Sequence, residues 1–297
     1  MIGQDASSNL AALYLDALVA HDPTLLPLAE DVRFTENGQV LPIGGGLWRT
    51  AGGPVTYRFP FVDRESGAVG LFAVVPENGI KTILAARFAL EGGRVTELET
   101  IVVRRMGALF APDQLTEPRP IFLQPLAPDE RRPRAEMVCA ADLYFDGIEQ
   151  DDGAIIPFSA DCHRVENGVR VTGTPEIDER TIYTDALARQ SPADQISSGF
   201  FHYIKRIRDR RYPIVDTDRG LAAGIVMFDH PADDLVITRP DGSQLAMPKE
   251  ALWPSSALLY YLFKIRAGEI AGIEVAYIML PFGSRSVWPA PPRDRSS

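Results

Sequence analysis

A shift of 130 residues lays the segment Leu13–Gly38 on Leu143–Gly168 without a gap, and nine of the 26 pairs are identical. Background composition would give roughly one or two. The identities are Leu13/Leu143, Tyr14/Tyr144, Asp16/Asp146, Asp22/Asp152, Pro27/Pro157, Asp31/Asp161, Glu36/Glu166, Asn37/Asn167 and Gly38/Gly168. Two more blocks agree at larger spacings. Gly46–Asp63 matches Gly199–Asp216 through Arg58/Arg211, Pro60/Pro213, Val62/Val215 and Asp63/Asp216, and Phe88–Glu99 matches Phe263–Glu274. A chain of 297 residues suits one large domain or two ordinary ones. The tandem duplication decides for two, and positions where the copies differ become the functional evidence.

Each copy reads as helices followed by an antiparallel meander, which is α+β rather than α/β. In the first, a helix over Ser8–His21 places Leu10, Tyr14, Ala17 and Leu18 at helical spacing. Strands follow at Val32–Glu36, Thr56–Val62, Val69–Val75, Thr82–Leu90 and Val95–Val103, punctuated by Asn-Gly and Gly-Gly turns. Ala111–Pro133 carries six prolines in 23 residues and reads as a linker. The second copy opens at Pro133, a residue suited to a first helical turn. It carries a polar insertion over Val169–Ser198, a helix over Gly199–Arg210, and strands at Tyr212–Asp216, Ala222–Asp229, Ala257–Arg266 and Ile270–Met279. The expected division is a first domain over 1–110, a linker over 111–133, a second domain over 134–283 and a disordered tail over 284–297.

Net charge is −10, which argues against nucleic acid and against an anionic membrane surface. No apolar run reaches the length of a membrane span, and the N-terminus has no secretory pattern. Cys139 and Cys162 sit in apolar contexts and read as buried free thiols. A soluble cytoplasmic protein is expected.

The helix followed by LAEDVRFTENG, with its second copy ending in DCHRVENG (Asp161–Gly168), resembles the start of the nuclear transport factor 2-like superfamily. The chain is also similar to a group of bacterial and fungal proteins of no established activity, built around DCHRVENG and YIKRIRDRRYPIVD (Tyr203–Asp216). The resemblance implies two tandem cone-shaped domains, each with N-terminal helices packed on a curved antiparallel sheet. It also implies a deep apolar pocket in each cone, no required metal or cofactor, and an internal pseudo-dimer joined through the sheets, with further homo-oligomerisation left open. Superfamily members include ketosteroid isomerase, scytalone dehydratase, the SnoaL-type polyketide cyclases and limonene epoxide hydrolase, alongside modules with no chemistry. Fold alone therefore fixes little. In the isomerase-like members the base is a carboxylate at the end of the first strand, a position that falls on Glu36 and Glu166.

Strand alternation puts Val32, Phe34 and Glu36 on one face, and Cys162, Arg164 and Glu166 on its equivalent. A carboxylate among apolar groups is a candidate general base; the structural alternative is that each glutamate ties down its own turn. Arg164 is then either an internal partner of Glu166 or an anion clamp. His202 faces Arg49 in the first copy, so it is a gain of the second, and histidine exchanges protons near neutral pH. Tyr183, in the insertion, is a phenolic donor, and Arg208 a candidate oxyanion donor. Phe200, Phe201 and Trp253, with Trp48 and Tyr57 in the first copy, supply aromatic walls. His230 reads as capping a strand end, and Arg211 as pairing with Asp63 or Asp216.

The favoured function is a cofactor-independent lyase or isomerase acting by general acid–base catalysis on a hydrophobic, including aromatic, small molecule. A non-catalytic small-molecule-binding or protein-interaction module is the alternative, and an epoxide or ester hydrolase a weaker one.

Overall fold

The computed structural model describes residues 4–105, 109–174, 185–233, 236–238, 242–246 and 252–288. The first domain runs α1 (Gln4–Val19), β1 (Leu28–Glu36), β2 (Gln39–Leu41), a 3-10 turn (Gly46–Arg49), β3 (Tyr57–Val62), β4 (Val69–Glu77), β5 (Ile80–Glu91) and β6 (Arg94–Val103). A connecting segment carries the short helix α2 (Pro120–Leu123). The second domain runs α3 (Arg134–Gln150), β7 (Phe158–Glu166), β8 (Val169–Arg170), α4 (Asp185–Ala188), α5 (Pro192–Ser197), β9 (Arg206–Asp216) and β10 (Leu221–His230). The hairpin β11 (Val236–Thr238) and β12 (Gln244–Ala246) follows, then β13 (Ser255–Arg266) and β14 (Glu269–Pro281).

The two domains share one strand order. The first sheet is β2-β1-β6-β5-β4-β3 and the second is β8-β7-β14-β13-β10-β9. All neighbours are antiparallel except β1–β6 and β7–β14, which are parallel because the chain crosses the sheet between them. Registers repeat rung for rung. Phe34 faces Leu98 and Glu36 faces Thr100 in one domain, while Arg164 faces Ile273 and Glu166 faces Val275 in the other.

The Glu-Asn-Gly repeat has a local reason. Asn37 and Asn167 adopt positive φ at the turn, and each side chain crosses to the neighbouring strand. Asn37 accepts from Val102 N at 2.7 Å and donates to Val102 O at 3.1 Å. Asn167 makes the same pair with Tyr277, at 2.9 and 3.1 Å. A side chain here substitutes for the backbone ladder where the strand turns away.

Each sheet buries one face under its own helices. In the first domain Tyr14, Leu18, Phe34, Trp48 and Phe88 fill that space. In the second it is filled by Tyr144, Phe145, Phe201, Tyr261 and Phe263. The opposite faces pack sheet on sheet, with Tyr57, Phe59, Phe61 and Phe72 of the first domain meeting Ile214, Met227, Tyr260 and Leu262 of the second. The Tyr260 ring lies 5.3 Å from Phe72 and 6.4 Å from Phe61. Arg211 donates twice to Glu99, at 2.6 and 2.9 Å, and so pairs across this interface rather than with Asp63 or Asp216. The pseudo-dimer is therefore built into one chain.

Three expectations change. The segment 199–210 is not a helix: after turns at 199–203 the chain enters β9 at Arg206, paired with Asp229 of β10. Its run of charges has no strand alternation in sequence because Asp209 adopts positive φ and the register shifts there. The tail is ordered at least to Trp288, which is buried: its Nε1 donates to Thr35 Oγ1 at 3.0 Å and the guanidinium carbons of Arg33 and Arg87 lie 4.5 and 4.9 Å from its ring centre. Residues 289–297 lie outside the described residues. Cys139 is exposed, and only Cys162 is the expected buried thiol, which burial pushes up to about 12.

Candidate functional site

Exposure rises toward one end of each inner face. Along β14 the inner-face residues run from Ile273 and Val275, both buried, through half-buried Tyr277 to Met279 at 43% exposed. The same positions in the first domain are Leu98, Thr100, Val102 and Arg104, since Leu84 faces Val102 as Leu259 faces Tyr277. Across the sheet, Glu77 faces Ile80 as His230 faces Ser255, so His230 occupies the place of Glu77.

In the first domain this end is closed. Arg104 Nη2 donates to Glu36 Oε1 at 3.0 Å and to Glu77 Oε1 at 2.8 Å, and its Nε reaches Glu77 Oε2 at 2.6 Å. Glu36 Oε2 accepts from Leu47 N at 2.6 Å, capping the 3-10 turn. That approach requires Gly46, at φ +61°, because a Cβ there would lie 2.2 Å from Glu36 Oε2. Glu36 is thus held between the Leu47 amide and Arg104, and behind it Phe34, Tyr14 and Trp48 form an aromatic core. Trp48 packs edge-on against Tyr14 at 5.5 Å.

The second domain departs from this at three of the same positions. Arg164 stands for Phe34, His230 for Glu77 and Met279 for Arg104. Arg164 is fully buried, with its guanidinium 4.9 Å from the centre of the Phe201 ring. Each of its nitrogens is engaged: Nε donates to Glu166 Oε1 at 2.8 Å, Nη2 to Gln195 Oε1 at 2.6 Å and Nη1 to Tyr144 Oη at 3.3 Å. Gln195 is itself fixed by donating to Val171 O and Leu187 O. A buried charge held this fully is both stable and oriented.

Around that pair stand Tyr203 and Tyr277. Burial, and then the nearby Glu166 carboxylate, push both phenols above the ordinary tyrosine range, so both stay protonated. Burial does the same to Tyr144. His230 is buried, its ring edge-on to Tyr203 at 5.1 Å and its Nδ1 2.7 Å from Tyr203 O. Arg164, Glu166, Tyr203, Tyr277 and His230 therefore form one polar cluster toward the more exposed end of the second domain's inner face.

Of the residues singled out in sequence, Arg164, Glu166, Phe200 and Phe201 belong to this cluster or its walls. His202 is placed elsewhere. Its Nδ1 lies 2.5 Å from Asp151 Oδ2, with 41% of its side chain exposed. His21 makes the counterpart contact in the first domain, from the position equivalent to Asp151, with Nδ1 2.6 Å from Trp48 O. Both contacts tie the end of the first helix to the segment walling the cone. Arg208 pairs with Asp229 at 2.7 Å and reaches Ser284 O at 2.5 Å, away from Arg164. Trp253 is 62% exposed, and Tyr57 lies between the sheets with its hydroxyl 3.4 Å from Glu274. Tyr183 lies outside the described residues. His230 ends β10, in keeping with the strand-end reading, and the sequence does not single out Tyr203 or Tyr277 as its neighbours because nothing in a linear sequence marks three separate segments as converging. The rung-by-rung repeat was the signal available.

Among the described residues no group of three His, Cys, Asp or Glu side chains is arranged to hold a metal ion. None of their helices is long and apolar enough to cross a membrane. Fold and cluster define a tandem α+β protein whose two sheets carry different polar groups at the same end of their inner faces. The chain belongs to the family described as Domain of unknown function (DUF8021), whose model matches residues 4–102 and 130–277. No curated protein matches it. Among solved structures it is similar to an NTF2-like protein of unknown function from Cytophaga hutchinsonii. That protein is 18% identical, with 34% of this chain and 94% of the other covered at a TM-score of 0.27.

Proposed function

We propose that the second domain acts on a hydrophobic small molecule by cofactor-independent general acid–base chemistry, as a lyase or isomerase, and that the first domain is its structural half. The observation that supports this reading is the substitution of the sealing triad Arg104–Glu36–Glu77 by Met279, Glu166 and His230, with Arg164 placed behind them. Glu166 accepts a proton from a carbon next to a carbonyl. A phenol of Tyr203 or Tyr277 donates a hydrogen bond to the oxygen that gains charge. The proton then returns to a different carbon in an isomerisation, or to the departing hydroxyl in a dehydration. Arg164 keeps the Glu166 carboxylate oriented, and Phe200 and Phe201 keep water out.

The test is deuterium exchange into the methyl group of 2-acetonaphthone, followed by NMR in heavy water. The expected result is saturable exchange that falls about 100-fold in Glu166→Gln, the scale of a lost general base. No exchange above solvent background would overturn the catalytic reading. Saturable binding without exchange would favour a non-catalytic binding module. That second reading is supported by the internal satisfaction of every Arg164 nitrogen.

A further inference from the structure

We propose that the contact between the two domains is proton-operated: Glu274 lies between the sheets as the neutral acid, and its ionisation weakens their hold on each other. The repeat supplies the comparison. Phe88–Glu99 matches Phe263–Glu274, so Glu99 and Glu274 are equivalent positions, and each reaches a residue of the other domain. Glu99 accepts from Arg87 on the neighbouring strand at 3.1 Å and twice from Arg211 of the second domain, at 2.6 and 2.9 Å. Two arginines answer one carboxylate, which is what a buried charged acceptor needs.

Glu274 has neither counterpart. Leu262 faces it as Arg87 faces Glu99. Arg58, the repeat of Arg211, is exposed, and its neighbour Tyr57 is buried instead. Tyr57 Oη lies 3.4 Å from Glu274 Oε1, and Arg119 Nε lies 3.8 Å from Oε2. The second distance is beyond hydrogen-bond range, and both atoms are buried without a hydrogen-bond partner. Arg119 is held elsewhere: its Nη2 donates to Ile273 O at 2.6 Å, and its guanidinium lies 4.6 Å from the Phe122 ring centre. It also feels the opposing charge of Arg170 and the nearby Cys162.

The other elements packed here bring no compensating charge. Val165 of β7 stands beside Glu274, and β10 and α2 give Ala223, Ile225, Ile121 and Phe122 to the core between the sheets. The remaining ionic groups of this interface, Arg87, Arg211 and Glu99, are paired with one another. A carboxylate accepting one long hydrogen bond in such a setting is costly, and the neutral acid is not. Burial pushes the Glu274 carboxyl above the ordinary glutamate range, against the pull of Arg119 and Tyr57. As pH rises the unfolded chain releases this proton first. The stabilisation is therefore whole below about pH 4 and is lost as pH rises through the folded value.

The experiment uses the full chain and Glu274→Gln, whose amide stands for the neutral acid in size and charge. Chemical denaturation is followed at about pH 5 and about pH 7. The folding constant of Glu274→Gln relative to the unaltered chain should rise at least about 10-fold between the two, because one proton difference is worth up to tenfold per pH unit. The variant should be at least as stable as the unaltered chain at neutral pH. Infrared spectra in heavy water should show a carboxylic-acid carbonyl band at neutral pH that the variant lacks. Amide exchange over β3, corrected for intrinsic rates, should rise with pH in the unaltered chain and stay level in the variant. A relative stability that does not change with pH, or no acid band, would overturn the neutral acid. So would a variant that is less stable at neutral pH or does not fold, since an ion pair with Arg119 would then be what the amide breaks. Level amide exchange in both chains would overturn the loosening of the domains.

Discussion

A single nitrogen of Arg104 bridges the first domain's mouth, donating to Glu36 at 3.0 Å while it also contacts Glu77. The second domain keeps the glutamate as Glu166 and turns it inward to Arg164 at 2.8 Å. The same carboxylate therefore serves as a lock in one copy and as part of a polar cluster in the other.

Arg104→Met removes the cation shared by two carboxylates of low exposure. Loss of these charge-assisted bonds should lower stability by about 1–2 kcal/mol, read as a lower thermal midpoint by circular dichroism. An unchanged midpoint would show that the seal contributes nothing to the fold.

The His202–Asp151 contact at 2.5 Å spans the end of α3 and the wall of the cone, at a partly exposed position. His202→Ala should cost about 1 kcal/mol or less in chemical denaturation. Ketone exchange should persist in this variant and be lost in Glu166→Gln. The reverse pattern would restore His202 as the base.

Trp288 closes the chain back onto the first domain, against Thr35, Arg33 and Arg87. Trp288→Ala should destabilise by about 3 kcal/mol through the cavity and the lost ring contacts. Limited proteolysis should then cut the chain after β14 faster than in the unaltered protein, and equal rates would disprove a clamping role.

Asp63 gives the expected acid response. Burial pushes its carboxyl up, but the amides of Val215 and Ser66 and the Arg134 guanidinium outweigh that and hold it below the ordinary aspartate value. A lowered folded pKa means the unfolded chain binds the proton first. The stabilisation is therefore whole above about pH 4 and is lost as pH falls through the folded value. Asp63→Asn should be less stable at neutral pH and show a shallower loss of stability below about pH 4. Parallel acid branches would refute the assignment. Because Val215 belongs to the second domain, the same titration reports on the interface.

Much of this was legible in the chain. The duplication gave two domains, and alternation placed Glu36 with Phe34 and Glu166 with Arg164 on the inner face, because both signals are local and periodic. The Gly199–Arg210 segment carries charges at helical spacing yet folds as turns and a bulged strand, because its register is defined only by its partner β10. His202 is a residue the first copy lacks, and the partner it finds, Asp151, lies 51 positions away, a contact that no local pattern encodes.

The sequence by itself determined the repeat, its turns and the inward carboxylates, since each depends on neighbours a few residues away. Tertiary structure decided which arginine holds each carboxylate, Arg104 for Glu36 and Arg164 for Glu166. That choice depends on Arg104 or Met279, and on Glu77 or His230, brought to the same rim from strands remote in the chain. Pairing across a sheet is a matter of register, and register is fixed only when whole strands bury their faces together.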